Sequence, residues 1–278
     1  MQVGLLDREF GFKKFSPEKM LWLSWKLLSG YAGFLLPLMA IAHDISHEGI
    51  PSVRTLLAVA LLTMLNIGVC MSVVLHRYFS HSAFRTTRAF QFVLGVIGCL
   101  AYQCGPVWWA SKHRRHHANC DTALDPHSWT MTSHWYAWWG WTLNPSEQTI
   151  DYQYVHNLVK YKELLILDEL WLLVPSLLMA SVYNLAGPHC ATAYVATPLF
   201  LSRMITLLFN CEYHPPASKT KCKSIDNPRI LSELVGESYH DDHHAHPRRL
   251  HRPGLDLPYW IFIRPLIALR MIWPVGAV

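Results

Sequence analysis

Charge is scarce in this chain. Asp, Glu, Lys and Arg make up 15% of its 278 residues, while 51% are hydrophobic and 13% aromatic. An average soluble domain carries about 25% charged residues. So small a polar complement cannot wet a globule of this size, which excludes an ordinary soluble enzyme. The apolar and aromatic content equally excludes disorder and collagen-like repeats. No CxxC occurs among the seven cysteines, at positions 70, 99, 104, 120, 190, 211 and 222. Neither a disulfide framework nor a Cys-based zinc module is therefore expected, and most of these thiols are expected to be free or packed. The absence of HExxH removes the general base of hydrolytic zinc chemistry. Residues 1–20 lack the apolar core of a signal peptide, and a net charge of +5 reads as membrane-face bias and not as nucleic-acid binding. There is no internal repeat and no segment of soluble-domain character, so one domain over residues 1–278 is expected.

Long uncharged runs are what the sequence has in excess. Thr55 to Leu75 is 21 residues without a charge, long enough to cross a hydrocarbon core. Leu27 to His43 is 17 residues, at the short end, and Leu170 to Ser202 is 33, broken by Gly187-Pro188 into two helices joined by a tight turn. Ala89 to Ala110 is also uncharged. If it does not span, four helices leave 22 of the 24 Lys and Arg on one face. The positive-inside rule favours that count, with residues 89–110 re-entrant or interfacial and both termini cytosolic. The expectation is an all-α integral membrane fold: a cytosolic segment 1–26, four transmembrane helices with a cytosolic helical cap insertion over 27–211, and cap plus interfacial tail over 212–278.

Seventeen histidines against nineteen acidic residues are the second anomaly. They cluster as His76-Arg-Tyr-Phe-Ser-His81, His113-Arg-Arg-His116-His117 and His240-Asp-Asp-His243-His244. On a helix, positions i, i+3 and i+4 share a face, so each HxxHH is expected to aim three imidazoles at one point. Stacked imidazoles desolvate and repel one another unless a cation binds them. His76 and His81, five apart, point about 140° away from each other on an ideal α-helix, so they either feed two metals or sit where the helix ends. Asn210 and His214, at i and i+4, close the last span. These segments carry nine histidines, too many for one metal and about right for two, with iron, zinc or copper all compatible with imidazole. His43-Asp-Ile-Ser-His47 is a rival first box. It lies at the far end of the first span and is expected to be excluded from the site.

These pieces resemble the membrane fatty-acid desaturases, specifically the acyl-CoA Δ9 (stearoyl-CoA) type. The resemblance rests on HRYFSH at 76–81, GPVWWASKHRRHH at 105–117, DPHS at 125–128, NCEYH at 210–214 and GESYHDDHHAHP at 236–247. It implies a helical stem under a cytosolic cap with a histidine-box di-iron site. Two irons would be held by His76, His81, His113, His116, His117, His214, His240, His243 and His244, with Asn210 acting through a water. It further implies O2-dependent removal of two hydrogens from a CH2-CH2 pair of a long-chain fatty acyl-CoA or acyl-lipid, placing a cis double bond. No HPGG haem motif occurs, so a separate electron donor of cytochrome b5 or ferredoxin type is expected, and Lys219, Lys221 and Lys223 offer a basic surface to an acidic carrier or to the CoA phosphates. Trp108 and Trp109 are expected to wall the acyl tunnel, and Ala60 with Thr63 to line its floor. The implied location is the endoplasmic reticulum membrane with the site facing the cytosol, or the inner membrane of a bacterium. A lipid hydroxylase on the same scaffold, or a non-catalytic membrane metal-binding protein, are the alternatives.

Overall fold

The computed structural model describes residues 17–220 and 222–275, with side chains from Trp25 onward. Lys221 and the first sixteen residues lie outside the described part. Three helical segments are long and apolar enough to cross a membrane: Trp25–Glu48, Val53–Ser80 and Leu173–Glu212. The first belongs to helix α1 (Pro17–Glu48). The second, α2 (Val53–Ser80), starts where Ser52 caps the free Thr55 amide at 3.2 Å. At 28 residues it runs about 40 Å, longer than a hydrocarbon core of about 30 Å.

Residues 89–110 do not form one rod. Helix α3 (Arg88–Cys99) is 12 residues, about 18 Å and too short to span. The chain then turns through Tyr102 and Cys104, both at positive φ, and restarts as α4 (Pro106–Asn119). The start of α4 is fixed from outside. The Asp168 carboxylate, on α5 (Lys162–Glu169), accepts from the Val107 and Trp108 amides at 3.0 and 2.9 Å, an anion placed on a helix N-terminus. A Cβ at Gly105 would collide with that carboxylate, so glycine is required by close approach.

The third apolar segment comprises α6 (Leu173–Ala191), a π-wound link Thr192–Ala196, and α7 (Thr197–Glu212). It breaks at Gly187, whose φ of 88° is left-handed and favours glycine. The chain doubles back there, because Ser176, Met179 and Tyr183 line the same cavity as Val195 and Leu199. The His189 ring meets Asp44 at 3.0 Å, which seats this turn beside the far end of α1.

One departure from an all-α fold is a short antiparallel ribbon, β1 (Phe84–Thr86) on β2 (Ile272–Pro274), which ties the C-terminal tail to the segment after α2. A second clamp is fully buried. Arg77 donates to both Asp256 oxygens at 2.8 and 2.9 Å and to the Leu250 carbonyl at 2.9 Å. Helix α2 and the segment before the tail are thereby locked together at one end of the helical stem.

Candidate metal centre

The lower half of α2, Asn66–Ser80, is π-wound. Its i→i+5 bonding places residues five apart on one face. The His81 amide donates to the His76 carbonyl at 3.1 Å, and both rings enter the same cluster. The 140° separation expected of an ideal α-helix therefore does not arise.

Five Nε2 atoms face one another in the first cluster. His76 lies 2.9 Å from His243, His243 3.0 Å from His117, His117 3.1 Å from His113 and His113 2.9 Å from His81. The second cluster holds His116, His214, His240 and His244, with Nε2 of His240 at 2.9 Å from His214 and 3.3 Å from His244. The His116 ring stands 4.7 Å from His214 and 5.2 Å from His244. Each HxxHH thus divides its imidazoles, contrary to the expectation of one shared point. His113 and His117 join the first cluster while His116 joins the second, and His240 and His244 join the second while His243 joins the first. The i and i+4 side chains lie about 40° apart around a helix, and i+3 a further 60° to the other side, which is enough to aim at a neighbouring ion. The clusters adjoin through His117 stacked on His244, ring centroids 4.2 Å apart.

Protons on the outer nitrogens are assigned by anions and carbonyls. Glu237 meets Nδ1 of His76 at 3.0 Å, Asp125 meets Nδ1 of His116 at 2.9 Å, and the Cys222 carbonyl meets Nδ1 of His214 at 2.8 Å. An Nδ1–H so engaged leaves Nε2 as a lone pair aimed inward. Burial, reinforced by the neighbouring imidazoles, holds His81, His113, His117 and His240 well below the ordinary imidazole range, and burial likewise depresses His243 and His244. These rings are neutral donors at physiological pH. Lone pairs facing lone pairs at about 3 Å repel without a cation. Cis ligands about 2.1 Å from a shared ion would stand about 3.0 Å apart, so the residues present fit two metal ions.

Residues 53–262 match the family model described as fatty acid desaturase. The chain belongs to the fatty acid desaturase family. It is similar to a hex-5-enoyl-[acyl-carrier protein] acetylenase of Moorena producens (strain JHB), 26% identical over 84% of this chain and 85% of that one. It is also similar to an sn-2 palmitoyl-lipid 9-desaturase of Nostoc sp. (strain 36), 28% identical over 70% and 72% of the two chains. An acyl-CoA Delta(11) desaturase of Trichoplusia ni is 27% identical over 69% of this chain, which spans 58% of that protein's length. Three carriers appear in these names, so family membership leaves the carrier open.

Around this desaturase-family centre, Trp109 stacks on the His113 ring at 4.9 Å, and with Asn210 and Gln103 it bounds a cavity of about 30 Å³ beside His113. Trp108 is buried, stacks on Trp141 and donates to the Glu147 carbonyl at 2.8 Å. Thr63 is buried and bonds its own helix at Val59, while Ala60 is exposed on the outward face of α2. His43 and His47 stack on each other in an exposed position at the end of α1, and neither joins a cluster. Lys219 is exposed and Lys223 is half-buried, donating to the Ser218 carbonyl at 2.7 Å. Lys221 falls outside the described residues. Most cysteines are free, as expected, and one pair, Cys120–Cys222, is bridged. Their separation of 102 residues hides the pair from any spacing rule. Glu237 and Asp125 lie inside GESYH and DPHS, but as partners of His76 and His116 they emerge only once the rings are placed.

Proposed function

We propose that the protein is a di-iron, O2-dependent acyl desaturase that places a cis double bond, at Δ9, in a saturated long-chain acyl-CoA or acyl-lipid. The observation that carries this reading is the division of nine imidazoles into adjoining clusters of five and four. A C–H bond in a methylene pair lies beyond acid or base catalysis, and two bound irons with O2 supply the oxidising power the reaction needs. The chain's own residues do the rest. His76, His81, His113, His117 and His243 would hold one iron, and His116, His214, His240 and His244 the other. Asn210, on the cavity beside His113, would act through a water. Trp109 and Trp108 shape the space next to the first cluster, where a rigid wall decides which carbons are presented.

In this reading the break at Gly187 makes the last apolar segment the third and fourth spans. Both termini and the nine clustered histidines then face the cytosol, in the endoplasmic reticulum or in a bacterial inner membrane. Electrons come from a separate cytochrome b5 or ferredoxin-type donor. Expression in a desaturase-deficient yeast, with double-bond mapping of its lipids, tests the assignment. Monounsaturated chains with the bond between carbons 9 and 10 are expected. Hydroxylated chains would replace desaturation by oxygen insertion, and a bond elsewhere would overturn Δ9 alone.

A further inference from the structure

Arg203 is a cation within the last apolar segment and has no anion beside it. It precedes Asn210 by seven residues on α7, about 10 Å of helix, and is 3% exposed. Among the described residues its only side-chain hydrogen bond runs from Nη2 to Oγ1 of Thr142 at 3.3 Å, and no carboxylate pairs with it. A charge inside a span is costly, and its presence points to a partner that it meets there. The nearby Tyr102 hydroxyl is likewise unengaged. Tyr102 is 7% exposed and packs edge-on against Trp171, and its hydroxyl makes no hydrogen bond among the described residues. Nη1 of Arg203 and Oη of Tyr102 converge at Gly33 of α1: a Cβ there would lie 3.5 Å from the one and 3.7 Å from the other, with the Trp171 ring also at 3.5 Å.

Tyr102 and Gly33 also border a cavity of about 670 Å³, within the range of about 300–1,000 Å³ usual for small-ligand sites. Its walls are apolar, with Leu36 and Pro37 from α1, Met179 from α6, and Val195 and Leu199 from the strand of chain that returns after Gly187. The cavity follows α1 from Ala32 to Ala40 and the next wall from Leu172 to Asn184, about 12 and 18 Å of helix. That is close to one acyl layer of a bilayer whose whole core is about 30 Å thick. Leu36 and Tyr183 along it are 60% and 53% exposed, so the cavity opens sideways onto the lipid-facing surface. Its polar end therefore lies toward the histidine clusters and its apolar end toward the turn at Gly187.

We propose that this cavity binds a free long-chain fatty acid taken from the bilayer, its carboxylate on Arg203 and Tyr102 and its chain lying between α1 and α6. An ionised carboxylate supplies the counter-charge that Arg203 lacks and accepts from the Tyr102 hydroxyl, and a single acyl chain matches the apolar walls. The polar end is bounded by Arg203, Tyr102 and Trp171 within 3.7 Å of one point, so narrow a space that it suits a carboxylate and excludes a branched glycerophosphate head. This ligand is not the acyl chain that is desaturated. With its carboxylate at Arg203 the chain runs past Leu199 toward Val195, away from Asn210, and its methylenes lead away from the imidazole clusters. Arg203 nonetheless touches the wall of the reaction space, because its Nη2 holds Thr142, and the adjoining Trp141 borders the cavity beside His113. An occupied site thereby fixes a guanidinium that braces that wall.

The test uses the full chain in detergent and a palmitic acid analogue that carries a diazirine at mid-chain. Light-driven labelling followed by peptide mass analysis locates the chain, and competition by unlabelled lipids measures what the site prefers. Label is expected within residues 32–40 and 172–184. Palmitate should displace it, whereas methyl palmitate, of the same chain length but uncharged, should compete at least about tenfold less well, the worth of a charge-assisted hydrogen bond. Arg203→Gln should weaken palmitate by a similar factor, and Tyr102→Phe by less, since it removes a neutral donor and leaves the charge. The comparison of acid with ester is made on the wild-type protein and needs neither variant to fold. Equal competition by the two would overturn the proposal, as would label confined to other segments. Displacement by dioleoyl phosphatidylglycerol as effective as by palmitate would assign the cavity to a phospholipid and overturn the fatty acid. Label on the peptides that carry Trp109 and Asn210, in place of residues 32–40, would make the analogue a chain in the reaction space and overturn the separate site.

Discussion

The His81 amide reaches back five residues to the His76 carbonyl, and this single π-type bond is what lets both rings serve one cluster. Replacing either imidazole removes one of five donors from the first pocket. Alanine at His76 or at His81 is expected to abolish activity and to lower bound iron toward one ion per chain, measured by metal analysis. Alanine at His43, whose ring stacks on His47 in an exposed position, is expected to leave both unchanged. The reverse pattern would place the first box at the wrong end of α1.

Glu237 lies behind His76. Burial alone would raise its carboxyl, yet the His76 imidazole, followed by Arg252 and Arg77, holds it down at about 2. Its charge fixes the His76 tautomer and raises the basicity of Nε2. Glu237→Gln keeps the shape and removes the charge, so iron affinity should fall by about 10–100-fold while the helical content is retained. Competition with a chelator of known affinity measures this directly. An unchanged affinity would mean that the His76 ring is held by packing alone.

Arg77 and Asp256 are both fully buried, and their bidentate pair joins α2 to the segment before the tail. Arg77→Ala leaves the Asp256 carboxylate without its cation in a dry site. The expected cost is about 3–5 kcal/mol. In detergent this should appear as a markedly lower unfolding temperature, with the double change Arg77→Leu, Asp256→Leu recovering part of it.

The helices and histidines were legible because both depend on short-range pattern. Uncharged length announces a span, and i, i+3, i+4 spacing announces a helix face. The failures share a different cause. Of the two arrangements left open for His76 and His81, the helix end is the one present, but the π winding that goes with it is imposed by packing and is not local to HRYFSH. The Cys120–Cys222 bridge, the Arg77–Asp256 pair and the β1–β2 ribbon join positions more than 100 residues apart, where sequence pattern carries no signal.

Gly105 is the hinge on which the second histidine box is set. Its missing Cβ lets the Asp168 carboxylate cap the Val107 and Trp108 amides, and burial pushes that carboxyl up to about 7. Gly105→Ala is expected to push α5 away from the start of α4 and to misplace His113, His116 and His117 together. Activity should fall by at least about 10²-fold, since a shift of about 1 Å at a reacting centre costs that much. Bound metal should become substoichiometric in the purified variant, which separates misplacement from simple loss of substrate binding.

Acid should weaken the metal-free protein, and the sign follows from its buried imidazoles. His81, His113, His117, His240, His243 and His244 are held well below the ordinary value in the folded state, by burial first. Unfolded, they titrate near 6.5. Below about pH 6.5 the unfolded chain therefore binds more protons than the folded one, and stability falls as pH drops, by up to about 1.4 kcal/mol per pH unit for each such group. Asp168 opposes this. Its raised carboxyl lets the folded state hold a proton that the unfolded chain releases between about 4 and 7, so it favours the folded state on acidification. One carboxyl against six imidazoles leaves the net slope destabilising. The unfolding temperature of the apo protein should thus be flat from about pH 8 to 7 and decline steeply from about 6.5 to 5.5. Bound iron occupies the same lone pairs that protons seek, so the loaded protein should decline only at lower pH, with metal release accompanying the loss. An apo protein as stable at pH 5.5 as at 7.5 would show that these rings are open to water and not packed as a dry cluster.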